Sequence, residues 1–192
     1  YALDRFIQDR FSKNVKRIQS SNTDEENMLN VVLLSEFRRR YAHELYSTYV
    51  KPVIMFKSQR IDSSNEANQT FNELIDSLTP QSIRDFLLRQ KQVGNERESE
   101  TLSIAHDYYR KNDSELDQIV RDIKREFAPT RIINANDSDR GSGMLEKGQY
   151  EALNSLESPA NLYRVIFAVA KLTEGWDVLN LYDIVRISNY KD

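Results

Sequence analysis

The stretch Tyr163-Arg-Val-Ile-Phe-Ala-Val-Ala-Lys-Leu-Thr-Glu-Gly-Trp-Asp-Val-Leu-Asn-Leu-Tyr-Asp-Ile-Val-Arg-Ile-Ser188 decides how this chain is read. Its two apolar runs, Val165–Ala170 and Ile184–Ile187, are each short enough to be buried strands. Between them lies a polar turn, Thr173-Glu174-Gly175-Trp176-Asp177, that holds the only Trp. A buried strand emptying into a Gly-bearing acidic turn is how open parallel sheets build ligand sites at their carboxyl edge. Gly175 lets the backbone turn sharply and approach a ligand closely, because it carries no Cβ. The plainer alternative is that Asp177 caps a short helical turn and Trp176 packs.

Working outward, the pattern alternates strand and helix. Leu3, Phe6, Ile7, Phe11, Val15 and Ile18 predict a helix over Tyr1–Ser20. Thr23 with Glu26 forms a capping-box pattern that opens a helix to about Tyr49, with Leu29, Leu33, Phe37, Tyr41 and Leu45 at steps of four. Lys51–Lys57 reads as the first strand, with Pro52 tolerated at its start. Lys57–Ile61 is then its exit loop, and Ser63 with Glu66 caps a helix bearing Ala67, Phe71, Leu74, Ile75 and Leu78. Thr79-Pro80 supplies an N-cap and a Pro at the first helical position.

Gln90–Ser99 reads as a loop, Leu102, Ala105 and Tyr109 as a helix, and Asp113 as the cap of the helix carrying Leu116, Ile119, Val120, Ile123 and Phe127. A second strand follows over Thr130–Ala135, then a loop of turn formers at Asn136–Gly143. Tyr150, Leu153 and Leu156 mark a short helix ended by Ser158-Pro159. The sum is an α/β fold: a parallel sheet of Val53–Phe56, Arg131–Asn134, Val165–Val169 and Ile184–Ile187, flanked by helices. In such a sheet the Lys57–Arg60 loop and the Thr173–Asp177 turn share one edge.

Composition limits the function classes. With 39% hydrophobic and 30% charged residues the chain can bury a core beneath a solvated surface. No apolar stretch approaches the roughly 20 residues needed to cross a bilayer. Cysteine is absent, which excludes disulfides and thiolate metal sites and suits a cytoplasmic setting. A net charge of -3 provides no global attraction to nucleic acid, so contact with it must come from a local patch or a partner domain. The chain opens at Tyr1 without a Met and stops after an apolar strand, and the expectation is a fragment of a longer protein.

Leu172-Thr-Glu-Gly-Trp-Asp-Val-Leu-Asn180 resembles motif V of superfamily-2 helicases, in the form most like the Res (translocase) subunit of type III restriction enzymes and its DEAD/DEAH-like relatives. Lys51-Pro-Val-Ile-Met-Phe-Lys-Ser58 is similar to the motif IV strand that opens the same domain, the second of two RecA-like (P-loop NTPase-like) domains. The resemblance implies nucleotide-binding roles for Glu174, Gly175 and Asp177, with Asp177 on a ribose hydroxyl. It implies nucleic-acid contacts from Lys57, Ser58 and Arg60 and from Lys171 and Thr173. It further implies ATP and Mg2+ in the longer protein, with none bound by the fragment alone. The implied partners are DNA or RNA, the preceding RecA-like domain and a methyltransferase (Mod) subunit. On this view residues 1–50 are a helical segment leading from the preceding domain, and 51–192 are a partial second RecA-like domain. A plain unit carries one helix between its first two strands; about three stand here, which marks a helical insertion at about 79–111.

Other candidates carry less. No G-x-x-x-x-G-K-[ST] loop is present to cradle phosphates, so the fragment alone is expected not to hydrolyse ATP. The Arg-rich motif VI of the resembled family is expected just beyond Asp192. His43 and His106 lie on separate predicted helices without metal-ligand spacing, which points to surface or packing roles. Arg38-Arg39-Arg40 reads as a solvated helix face, with a DNA-facing patch as the alternative. The tyrosines, Tyr41, Tyr46, Tyr49, Tyr108 and Tyr109 among them, fall in helical patterns typical of core, with base stacking as the alternative.

Overall fold

A computed structural model describes residues 17, 18, 20–94, 99–135, 147–169 and 178–188. Four strands, β1 (Val53–Ser58), β2 (Ile132–Asn134), β3 (Val165–Val169) and β4 (Leu181–Arg186), form one sheet in the order β2-β3-β1-β4. Every pairing is parallel, as the alternation of strand and helix predicts. The helices are α1 (Asp24–Tyr46), α2 (Ile61–Ser77), α3 (Pro80–Val93), α4 (Glu100–Lys111), α5 (Leu116–Glu126) and α6 (Lys147–Asn154).

Side chains alternate across the strands and so feed two cores. On one face Ile54, Phe56, Val165 and Phe167 meet Phe71 of α2, Phe127 and the apolar faces of α1, α3, α4 and α5. Phe56 stacks on Phe167 with ring centroids 5.0 Å apart, and Phe71 meets both edge-on or tilted. On the other face Val53, Met55, Ile133, Ile166 and Ala168 pack with Leu153 and Leu156. Burying one large apolar side chain contributes about 1.5–3 kcal/mol, so the first, larger core dominates the fold.

Helix α1 belongs to that core. Met28, Leu29, Val31, Val32, Leu33, Leu34 and Phe37 are all buried, so this stretch is covered nearly all round rather than along one stripe. Beyond Phe37 the helix emerges, and the predicted stripe residues Tyr41 and Leu45 are 41% and 54% exposed. Its start is the predicted capping box: Thr23 accepts from the Glu26 N–H at 3.2 Å, and Glu26 accepts from the Thr23 N–H at 3.0 Å. The Thr79-Pro80 cap also forms, with Ser82 as the reciprocal partner.

Several local expectations are corrected. Helix α2 starts at Ile61, two residues before Ser63, because Arg60 is extended and its carbonyl accepts the Ser64 N–H at 3.1 Å. Lys57 and Ser58 therefore end β1, and the exit loop shortens to Gln59-Arg60. Asp113 does not cap α5: it opens a short 3-10 turn and pairs with Arg84 at 2.7 Å. Helix α3 runs on through buried Gln90, whose amide exchanges hydrogen bonds with Asn22, and closes on Gly94 at φ 76. Arg131 lies in a 3-10 turn begun by Pro129, so β2 starts at Ile132. The run Ile184–Ile187 is not fully buried, since β4 is an edge strand and Ile184 is 57% exposed. Four α-helices, not about three, separate β1 from β2.

The predicted helix over Tyr1–Ser20 falls mostly, and the loop at Asn136–Gly143 wholly, outside the described residues. No helix among the described residues is long and apolar enough to cross a membrane.

Candidate functional site

Because β1, β3 and β2 run parallel and in register, their carboxyl ends open on one edge. Ser58 is the register partner of Val169, and Asn134 that of Phe167. Ser58 shares the face of Ile54 and Phe56, on the side that α2 covers, while Lys57 lies on the opposite face of the pleat. The Ser58 side chain is buried, and its Oγ has no hydrogen-bond partner among the described residues. Lys57 is half-buried, and its carbonyl accepts the Ile187 N–H at 3.0 Å, tying the exit of β1 to that of β4.

Arg60 follows at the rim. It is the N-cap residue of α2, its side chain makes no cap hydrogen bond, and that side chain is 75% exposed. Its one charged neighbour of note is Asp62, 3.6 Å away and also exposed, a pair screened by solvent. The first N–H groups of α2 thus point to the carboxyl edge without a cap from the N-cap side chain. Asn134 at the end of β2 donates to Asn65 of α2 at 3.0 Å, which fixes the helix start against the sheet. Of the predicted site residues, the structure brings Ser58 and Arg60 to one side of this edge and Lys57 to the other. Lys171, Thr173, Glu174, Gly175 and Asp177, with Trp176, lie outside the described residues.

The opposite, amino edge is built by residues that the sequence reading passed over. Glu36 and Arg164 have no exposed side-chain surface. Arg164 donates to the Pro52 carbonyl at 3.0 Å, to Glu126 at 2.6 Å and to Ser35 Oγ at 3.1 Å, and lies 4.8 Å over the Phe127 ring. Glu36 receives Arg39 in a two-pronged contact at 2.7 and 2.9 Å and Arg40 at 2.8 Å. Arg40 continues to Asp122 on α5. Burial pulls the Arg164 guanidinium below its ordinary pKa, against Glu126 and Glu36, which hold it up.

The Arg38-Arg39-Arg40 run is therefore not a solvated face: each arginine is committed to a carboxylate, Arg38 to Asp183 of β4. The signal that could have found this network is Glu36, a charge within the apolar run Val31–Phe37. His106 has a packing role, buried against Phe86 with Nε2 2.8 Å from Asn30. Tyr108 and Tyr109 are core residues, whereas Tyr46 and Tyr49 are 73% and 82% exposed. Among the described residues no group of three or more acidic or histidine side chains could hold a metal ion.

No protein-family model matches the chain, and no solved structure matches it. The chain is 29% identical to a probable type III restriction-modification enzyme, the HindVIP Res subunit of Haemophilus influenzae. The alignment covers 97% of this chain, which in turn spans 38% of that protein's length. Along nearly all its length, then, this chain is similar to a Res subunit of the type III restriction enzymes, and its parallel sheet flanked by helices fits a RecA-like domain.

Proposed function

We propose that this chain is the second motor domain of an ATP-dependent DNA helicase or translocase, of the kind found in Res subunits of type III restriction enzymes. The observation that carries the reading is the alignment with such a subunit over 97% of the chain. The fold supports it, because the strand that resembles motif IV and the strand that leads to the motif V turn are paired neighbours ending at one edge. Residues 1–50 would lead in from the preceding domain and 79–111 would be a helical insertion. The setting is cytoplasmic, and a Mod methyltransferase subunit is the partner that the resemblance suggests.

In this reading Lys57, Ser58 and Arg60, with Lys171 and Thr173, hold the nucleic-acid backbone. An open α2 start and an exposed Arg60 suit phosphate oxygens, since backbone N–H groups and a guanidinium both donate to them. Glu174, Gly175 and Asp177 face ATP held chiefly by the preceding domain. Mg2+ in this proposal enters with the nucleotide, held chiefly by its phosphates. Opening and closing of the two domains would then move the chain's phosphate contacts along the strand. An RNA substrate, or a non-catalytic α/β interaction module, is the rival.

The test is paired, on the longer motor protein: steady-state ATPase with DNA and thermal melting, for wild type and Asp177→Ala. Loss of a cap alone costs about 1 kcal/mol. Loss of a contact that orients ATP lowers turnover about 10-fold or more at unchanged melting. A collapsed melting temperature with normal turnover of the folded fraction contradicts the assignment. The 192-residue chain alone is expected to show no ATPase, and robust turnover abolished by Asp177→Ala would overturn that expectation.

A further inference from the structure

At the amino edge of the sheet, away from the site described above, lies a cavity of about 610 Å³. Its lining includes Arg39, Tyr49, Lys51, Arg164, Asn180 and Tyr182. Arg164 and Asn180 immediately precede β3 and β4, and Lys51 lies two residues before β1, so three strand entrances converge on this space. The cations in it are not equivalent. Arg39 and Arg164 are bound to Glu36 and Glu126, whereas Lys51 has no carboxylate within ion-pair distance among the described residues. Its ammonium instead donates to the carbonyls of Ser158, at 3.3 Å, and Asn161.

The two acids of the lining are already engaged within it: Glu126 is held by Arg164, with Arg131 as its second partner, and Glu157 accepts the Leu179 N–H at 2.6 Å. Lys51 is a half-buried cation with no acid of its own, and burial, then the charges of Arg164 and Arg131, lower its pKa. An anion beside it would relieve that repulsion. At the mouth stand two aromatic rings, Tyr49 at 82% and Tyr182 at 46% exposure. Each has a partner that orients it: His43 lies 4.9 Å from the Tyr49 ring, and Arg38 lies 5.4 Å over Tyr182.

We propose that this amino-edge cavity is a second ligand site, for a phosphate monoester carrying a flat ring, of mononucleotide size. Lys51 takes the phosphate, with the Arg39 and Arg164 field behind it, and the Tyr49 and Tyr182 rings sandwich or flank the base. The volume matches the sites that take small ligands of this size. Stacking on an exposed tyrosine and a charge-assisted contact to the lysine are the two sources of affinity. The site does not rest on the motor reading: its lining lies at the amino edge of the sheet and not at the carboxyl edge.

The experiment is calorimetric titration of the 192-residue chain with AMP, inorganic phosphate and adenosine, on wild type and on Lys51→Gln and Tyr49→Ala. AMP is expected to bind one to one. Lys51→Gln should weaken it about tenfold or more and Tyr49→Ala about fivefold or more. Phosphate and adenosine alone should each bind at least about tenfold more weakly than AMP. Absence of AMP binding up to millimolar concentration overturns the proposal. So does AMP binding that is kept in full by both Lys51→Gln and Tyr49→Ala, or adenosine binding as tightly as AMP. Should Lys51→Gln fail to fold, Tyr49→Ala decides, since that ring is largely in solvent.

Discussion

The two edges of the sheet are built on opposite rules. At the amino edge, buried charges are paired with one another: one buried arginine joins β1, β3, α1 and α5 through Pro52, Ser35 and Glu126, and Glu36 gathers two more arginines. At the carboxyl edge, a buried hydroxyl, an uncapped helix start and a solvent-exposed arginine are left with little to hold them. A sheet welded at one end can leave donors open at the other without losing its register. The energetic consequence is that mutations at the amino edge should cost stability, whereas those at the carboxyl edge should cost function.

The sharpest way to break this contrast is Arg164→Ala. It removes the closest partner of Glu126, leaving Arg131 at 3.3 Å, and frees a strand-entry carbonyl. Removing one partner of a buried pair costs about 3–5 kcal/mol, read as the midpoint shift in urea unfolding. A loss below about 1 kcal/mol would mean the network is ornamental. A smaller effect is expected at Thr23→Ala, which removes half of the α1 capping box and should cost about 1 kcal/mol by the same measurement.

A pH titration separates core from edge. Tyr109 is fully buried and donates to the Leu33 carbonyl at 2.6 Å, and burial pushes its phenol well above the ordinary tyrosine pKa. A raised folded-state pKa stabilises the fold at all pH below the unfolded value, roughly 10, and this contribution is lost as pH rises beyond it. Stability should therefore fall above about pH 10, and Tyr109→Phe should make that fall shallower. An unchanged slope would contradict the burial argument. At the carboxyl edge, Arg60→Ala should shift stability by no more than about 0.5 kcal/mol, because its partner Asp62 is as exposed as it is.

What the sequence told and withheld follows from range. The parallel sheet was readable because strand identity and alternation with helices are local signals, and parallel pairing follows from the crossovers. Caps at Thr23 and Thr79 were readable for the same reason: both partners lie within three residues. The Arg38–Arg40 run is only half legible: Glu36 is a local partner of Arg39 and Arg40, but Asp122 and Asp183 are 82 and 145 positions away from Arg40 and Arg38. Nothing local distinguishes an arginine that meets solvent from one that meets a carboxylate on another element. Ser58 and Arg60 were singled out on the strength of position after a buried strand, and the register of β1 with β3 explains why that position is an edge. Lys51 was seen only as a strand opener, because its significance lies in what Arg164 and Arg131 do around it.

The central claim, that the carboxyl edge grips nucleic-acid phosphates, is tested most directly by salt dependence. In the longer motor protein, DNA affinity would be followed by fluorescence anisotropy across a salt series, for wild type and Arg60→Ala, with melting measured alongside. Melting should be unchanged, affinity weakened uniformly across DNA sequences, and the log–log salt slope shallower by about one released counterion. An unaltered slope and affinity in a fully folded Arg60→Ala protein would contradict the claim.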